Sequence, residues 1–402
     1  MSYRPPKKRT IWQPIGPPRS VNDQFLLQDL DGVVETLSVD ATVHSSSTFR
    51  LRNLTPIASY SWIEGTPPVI AVPGYPRIWK STPPSRVPAD SGVHYVDRNA
   101  SHMGHRSPLV PIFSAIDTLH ENFPYKDLDL ITDRNNLRKM LRCIDQQSER
   151  AFRIDIELAG KTCLLTRRED VMMETINDFR GYGHEYEKAA TKSRRGSEEE
   201  IGHHRIVTYD FGGIHVLLRC TVDACTEFES EDDDILASFS ALNIGGQAET
   251  PKSQPDSTYI NRFGIKMKLT SPRSVVPQSR LIEIKTRSSH RELDWKEAYP
   301  QLFLSQTPYL YLAKHTKGTF GIVEKVDVNG QAMVPHAKEA ENAMGKLEIL
   351  LGSILKAVRK QGEGKPLSLV YFEGKLKLYK RKEGSGKPID VEISKKFRLG
   401  TT

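Results

Sequence analysis

The chain has 402 residues, 38% of them hydrophobic and 27% charged, with 57 Lys and Arg against 50 Asp and Glu for a formal net charge of +7. That usage excludes a disordered or fibrous chain, and no run reaches the roughly 18 apolar residues of a membrane span. The expectation is a soluble intracellular protein without membrane contact, whose mild basic excess is a weak pointer to a polyanionic partner.

Residues 1–25 are rich in Pro, Lys and Arg and read as a flexible basic leader, in which Lys7-Lys8-Arg9 is either part of an import signal or a solvated tail. From 56 to 115 the recurrent prolines forbid long helices and predict short strands and turns. Residues 134–142 place apolar side chains on one helix face and basic ones on the other. The alternation Phe152-Arg153-Ile154-Asp155-Ile156-Glu157-Leu158, followed by Ala159-Gly160-Lys161 and Thr162–Leu165, predicts a strand pair. Residues 188–204 read as a charged loop. Residues 206–219 read as two strands turning at Gly212-Gly213, and about 227–262 as an acidic insertion. A strand at 280–285, a helix at 294–304 and strands at 309–312 and 319–328 follow. A long helix at 336–361 ends at Gly362 and Gly364, and a hairpin at 367–380 turns at Glu373-Gly374. Cys143, Cys163, Cys220 and Cys225 contain no CxxC pair, so neither a zinc ribbon nor a disulfide scaffold is indicated.

The sharpest local pattern is Glu283-Ile284-Lys285 in an apolar strand. Side chains two apart on a strand project the same way, so a carboxylate and an ammonium would enter one site. A metal-dependent phosphodiester hydrolase needs that pair, the carboxylate for a divalent ion and the Lys for the attacking water; alternating charge on a solvated strand is the competing reading. Asp223 ends the apolar strand 216–222, either as a second acid or as a turn cap. Phe179–Lys188 opens a helix whose Glu185 adds a carboxylate, unless Glu185 and Glu187 are both surface charges. Gln301, among apolar neighbours, either orients a phosphate or water or bonds to backbone.

In order, Gly181-Tyr182-Gly183-His184-Glu185, Thr221-Val222-Asp223, Glu283-Ile284-Lys285 and Gln301-Leu302-Phe303-Leu304 resemble the motifs of the DXO-type decapping exoribonuclease family, within the PD-(D/E)XK nuclease superfamily. The resemblance covers about 125–382. It implies an α+β fold, a mixed β-sheet flanked by helices around a nuclease-like core, in one elaborated domain over 26–402. The implied activity is removal of aberrant caps from RNA 5′ ends, or 5′–3′ degradation, with Mg2+ or Mn2+ as cofactor. By the same resemblance Glu185, Asp223, Glu283 and the carbonyl of Ile284 hold metal, and Glu283, Lys285 and Gln301 are catalytic. Arg134 binds substrate, with Arg138, Arg142 and Arg219 drawing in the backbone. RNA is the implied partner, a 5′–3′ exoribonuclease a further one, and the location nuclear or nucleocytoplasmic. Thr221 departs from the pattern, standing where the third motif usually has an acid. A different alignment makes His184 a metal ligand, as in RecB-like DNA nucleases. A non-catalytic partner protein, binding through its leader or acidic insertion, is the reading from another class.

Overall fold

The computed structural model describes residues 23–39, 51–144, 150–227, 258–271 and 273–398. Most of the expected leader and the acidic centre of the expected insertion lie outside the described residues. At the edges of both, Asp23–Leu27 is a short helix and Tyr259–Arg262 is a strand rather than insertion loop.

Among the described residues the strands form two main sheets. In the larger, twelve strands run in the order 30–37, 375–381, 367–372, 152–159, 162–168, 130–133, 214–221, 200–211, 51–63, 69–72, 265–269 and 259–262. The expected pairs at 152–165 and 206–219 are both present. The second turns through Gly212 and Gly213, whose φ values of 58° and 88° suit residues without a Cβ. The charged stretch 188–204 is not one loop. The helix Gly183–Ala190 runs through its start, and its end belongs to the strand Glu200–Phe211, where His203 and His204 are buried. Register against the neighbouring strand Leu51–Ile63 holds those histidines inside, overriding their polarity.

The helix Val334–Gln361 presents Met344, Leu347, Leu350, Leu351, Ile354 and Val358 to one face of this sheet, as its period predicts. The helix Arg134–Ile144 packs on the same side. The opposite face is covered by Val110–Leu119, which begins with Pro111 in its first turn, where the missing N–H costs nothing. No described helix is long and apolar enough to cross a membrane. All four cysteines are free and buried.

The smaller sheet centres on Leu281–Ser288, parallel to Tyr309–Thr316 and joined to it by the crossover helix Trp295–Ser305, a βαβ unit. Asp294 caps that helix on Lys296 N–H at 3.1 Å, and Gln306 ends it in the left-handed region at φ 49°. The strand expected over 319–328 is instead two short pieces, Thr319–Phe320 and Glu324–Asp327. The chain passes between the two sheets several times, and one of these crossings builds the site: Ile214–Thr221 ends, Val222-Asp223 crosses, and Ala224–Cys225 pairs with Leu281–Ile282.

Glu200 illustrates the cost of burying charge at a strand end. Its carboxylate accepts Tyr75 N–H at 2.8 Å, and burial pushes its pKa from 4.5 up to about 7. A pKa raised in the folded state makes its contribution fully present below pH 4.5 and lost as pH rises through about 7. Between pH 5 and 8 the wild type should lose ~1–3 kcal/mol relative to Glu200→Gln, which keeps the acceptor without the charge. Urea midpoints across that range check this, and parallel profiles would refute it.

Candidate active site

The crossing between sheets places Asp223 beside Glu283, since Ala224 pairs with Ile282 and the Ile284 N–H donates to Asp223 Oδ2 at 2.8 Å. Glu283 is 3% exposed and Gln301 5%. Glu283 Oε1 accepts from Lys285 Nζ at 2.6 Å and from the Gln301 amide, which the crossover helix aims back at the strand. Glu283 Oε2 accepts from Arg134 Nη1 at 3.2 Å. Arg134 opens its helix directly after the strand Leu130–Asp133 and is 7% exposed. It also donates to Ser305 Oγ at 3.0 Å and Thr221 Oγ1 at 3.4 Å. Arg134, Asp223, Glu283, Ile284, Lys285 and Gln301 therefore share one cleft of about 520 Å³.

Glu185 does not line this cleft; Glu187 does. Successive helix residues are about 100° apart, so residues two apart face roughly opposite sides. The helix Gly183–Ala190 is anchored by Asp90, whose carboxylate accepts Gly183 N–H at 2.9 Å and Glu185 N–H at 3.0 Å. That anchor fixes the rotation that turns Glu187 inward. Gly183-His184-Glu185-Tyr186-Glu187 has the same glycine-to-glutamate spacing as the segment two residues earlier, and Tyr186 at its apolar position is fully buried. The buried-aromatic spacing is the signal in the sequence that marks Glu187. His184 also borders the cleft, but it is exposed and its ring lies against His94, with centroids 4.1 Å apart.

Electrostatics separate the three acids. Burial and the neighbouring Asp223 and Glu283 raise Glu187 well above the usual carboxylate range. Burial and Glu283 likewise raise Asp223. Burial pushes Glu283 upward too, but Lys285 and Arg134 outweigh it and hold the carboxyl below its ordinary value. Among the described residues, no side-chain hydrogen bond or ion pair engages the Glu187 carboxylate.

A second cleft of about 650 Å³ shares Arg138, Lys285 and Gln301 with the first and adds Arg142, Arg150 and Arg287, against Asp294 and Glu297. Arg142 forks onto Glu297 at 2.7 to 3.0 Å. Burial, Arg142 and Arg134 lower Arg138 to about 10, so the positive charge there is only partly compensated. Arg219 lines the inner wall of the first cleft, but its charge is already engaged. It is 2% exposed and grips both oxygens of Asp133 at 2.6 and 2.8 Å.

A mixed-sheet α+β fold with acids gathered at a strand crossing is the DXO-type decapping exonuclease fold, and solved structures bear that out. Schizosaccharomyces pombe Rai1 matches at 12% identity and TM-score 0.56, over 86% of this chain and 99% of that one. Scheffersomyces stipitis Rai1 in complex with (3′-NADP)+ and calcium matches at 10% identity and TM-score 0.56, over 90% and 97%. Candida albicans Rai1 in complex with pU5 and Mn2+ matches at 12% identity and TM-score 0.50, over 91% and 96%. The chain belongs to the family described as "Domain of unknown function (DUF8563)", whose model matches residues 32–381. No curated protein sequence matches it.

Proposed function

We propose that the chain is a divalent-metal-dependent phosphodiester hydrolase acting at the 5′ end of RNA, by removal of an aberrant cap, by 5′–3′ degradation, or both. The observation that carries this reading is that Glu187, Asp223, Glu283 and Lys285 all line one cleft, which shares residues with an arginine-lined groove. Among the described residues no three potential ligands are already gathered around a point. The donors nevertheless fit a hard ion: they are carboxylate oxygens, and two of them, on Glu187 and Asp223, repel each other where a cation would relieve the repulsion. Glu187, Asp223, Glu283 and the Ile284 carbonyl would hold Mg2+ or Mn2+, which supplies charge for the phosphoryl oxygens and acidifies a water.

The protein groups do the positioning. Lys285, fixed on Glu283 Oε1, and the Gln301 amide stand together to orient a water against the phosphorus. Arg134, anchored by Ser305 and Glu283, presents a permanent positive charge to a phosphate at the cleft wall. Arg138, Arg142, Arg150 and Arg287 would follow the strand away from the reacting end. The solved complexes of Rai1 with pU5 and with 3′-FADP are consistent with RNA as the polymer. From the motif resemblance alone we propose a 5′–3′ exoribonuclease as partner and a nuclear or nucleocytoplasmic location.

The test is hydrolysis by purified protein with Mn2+ of 5′-monophosphate, 5′-triphosphate, unmethylated-cap and NAD-capped RNA, beside single-stranded DNA. RNA should be cut from its 5′ end and EDTA should stop it. Engagement of three to five groove cations predicts that the log of RNA affinity falls with log salt at a slope of roughly −2 to −3.5. Intact RNA in every reaction sinks the hydrolase; faster cleavage of DNA favours the RecB-like alternative.

A further inference from the structure

The cleft presents more positive charge to Glu283 than one carboxylate needs. Lys285 and Arg134 both pair with it, at 2.6 and 3.2 Å, and Gln301 adds a third donor. Each carboxylate oxygen offers about two lone-pair sites, so Glu283 Oε1, taken by Lys285 and Gln301, is full. Its Oε2 is partly taken by Arg134. Asp223 has given Oδ2 to the Ile284 N–H, leaving Oδ1, while both oxygens of Glu187 remain open among the described residues.

The Arg134 guanidinium reaches from Glu283, inside the strand Leu281–Ser288, to Thr221, the last residue of the strand Ile214–Thr221. Thr221 can offer only a neutral hydroxyl, and the guanidinium already donates to it at 3.4 Å. A guanidinium cannot shed its proton at any working pH, so a second cation approaching between Thr221 and Glu283, on the Arg134 side, would meet a fixed like charge and would have to share the remaining lone pairs of Glu283 with the first ion. With Glu283 matched by Arg134 and Lys285, two acids remain, Glu187 and Asp223, and their combined charge balances one divalent ion.

Resting on the reading above, we propose that the site takes one divalent cation per chain, and that Arg134 occupies with fixed positive charge the place beside Thr221 and Glu283 where a second would bind. Arg134 then does for the phosphate oxygens on that side what a second ion would do.

Mn2+ binding to the full chain, measured by equilibrium dialysis and by the electron paramagnetic resonance signal of free Mn2+, tests this without any turnover. Wild type should saturate at one Mn2+. Thr221 is exposed, so Thr221→Asp should fold, and its carboxylate should neutralise the guanidinium and admit a second Mn2+, weaker than the first. Two comparable ions in wild type, or a count still at one in a Thr221→Asp chain that melts normally, overturns the proposal. No Mn2+ bound by the folded wild type removes the metal-dependent hydrolase reading as well, which makes the two failures distinguishable.

Discussion

Glu187→Gln should lower RNA hydrolysis by roughly 10²-fold or more, whereas Glu185→Gln should stay within about twofold of wild type. The contrast follows from helix rotation. Glu187 lines the cleft and shares its field with Asp223 and Glu283, and Glu185 lies about 200° away around the helix. Gln keeps the size of Glu but removes the charge that would bind an ion. The same change relieves repulsion among buried acids, so the Glu187→Gln protein should melt no lower than wild type while its activity collapses. A loss in both properties would mean that Glu187 is a structural residue. A collapse for Glu185→Gln with none for Glu187→Gln would reverse the assignment. Rates at saturating Mn2+ beside thermal melts of both variants decide it.

Arg219→Met should destabilise the fold by about 3–5 kcal/mol. Its guanidinium is 2% exposed and holds Asp133 through two bonds at 2.6 and 2.8 Å, the Tyr60 hydroxyl at 3.0 Å and the Pro108 carbonyl at 2.7 Å. Removing it leaves the Asp133 carboxylate, 13% exposed, without the partner of both its oxygens. The site should feel this too, because Asp133 immediately precedes Arg134 and faces Arg219 across parallel strands. Arg219→Met combined with Asp133→Leu should cost less than Arg219→Met alone, since no orphaned charge remains. Urea unfolding of the three proteins measures the difference; a single variant within about 1 kcal/mol of wild type would show the pair to be dispensable.

The two arginines show what a linear reading can and cannot distinguish. Both border the cleft, but Arg134, expected to reach substrate, pairs with the site carboxylate Glu283, whereas Arg219, expected to draw in a nucleic-acid backbone, is committed to Asp133, Tyr60 and the Pro108 carbonyl. Nothing in the residues around Arg219 announces Asp133, 86 positions away; only the parallel pairing of 214–221 with 130–133 brings them together. For Glu185 and Glu187 the ambiguity is narrower. Both stand in a short helix with near-identical local patterns, and the Asp90 carboxylate, 93 positions before Gly183, fixes which one turns inward.

Periodicity and turn chemistry by themselves determined most elements, because those signals act between near neighbours: the amphipathic helix expected at 134–142, the strand pairs expected at 152–165 and 206–219, the long apolar-faced helix and the closing hairpin. The same local logic made Glu283 and Lys285 companions, since a strand sends alternate side chains one way. Tertiary structure alone decided that strand residues 200–204 leave the expected loop, that Glu187 replaces Glu185 in the cleft, and that Arg134 bridges Glu283 and Thr221. Those outcomes depend on register between distant strands and on the rotation of a helix about its axis. Both are set by contacts across scores of residues, and a reading of neighbours along the chain does not contain them.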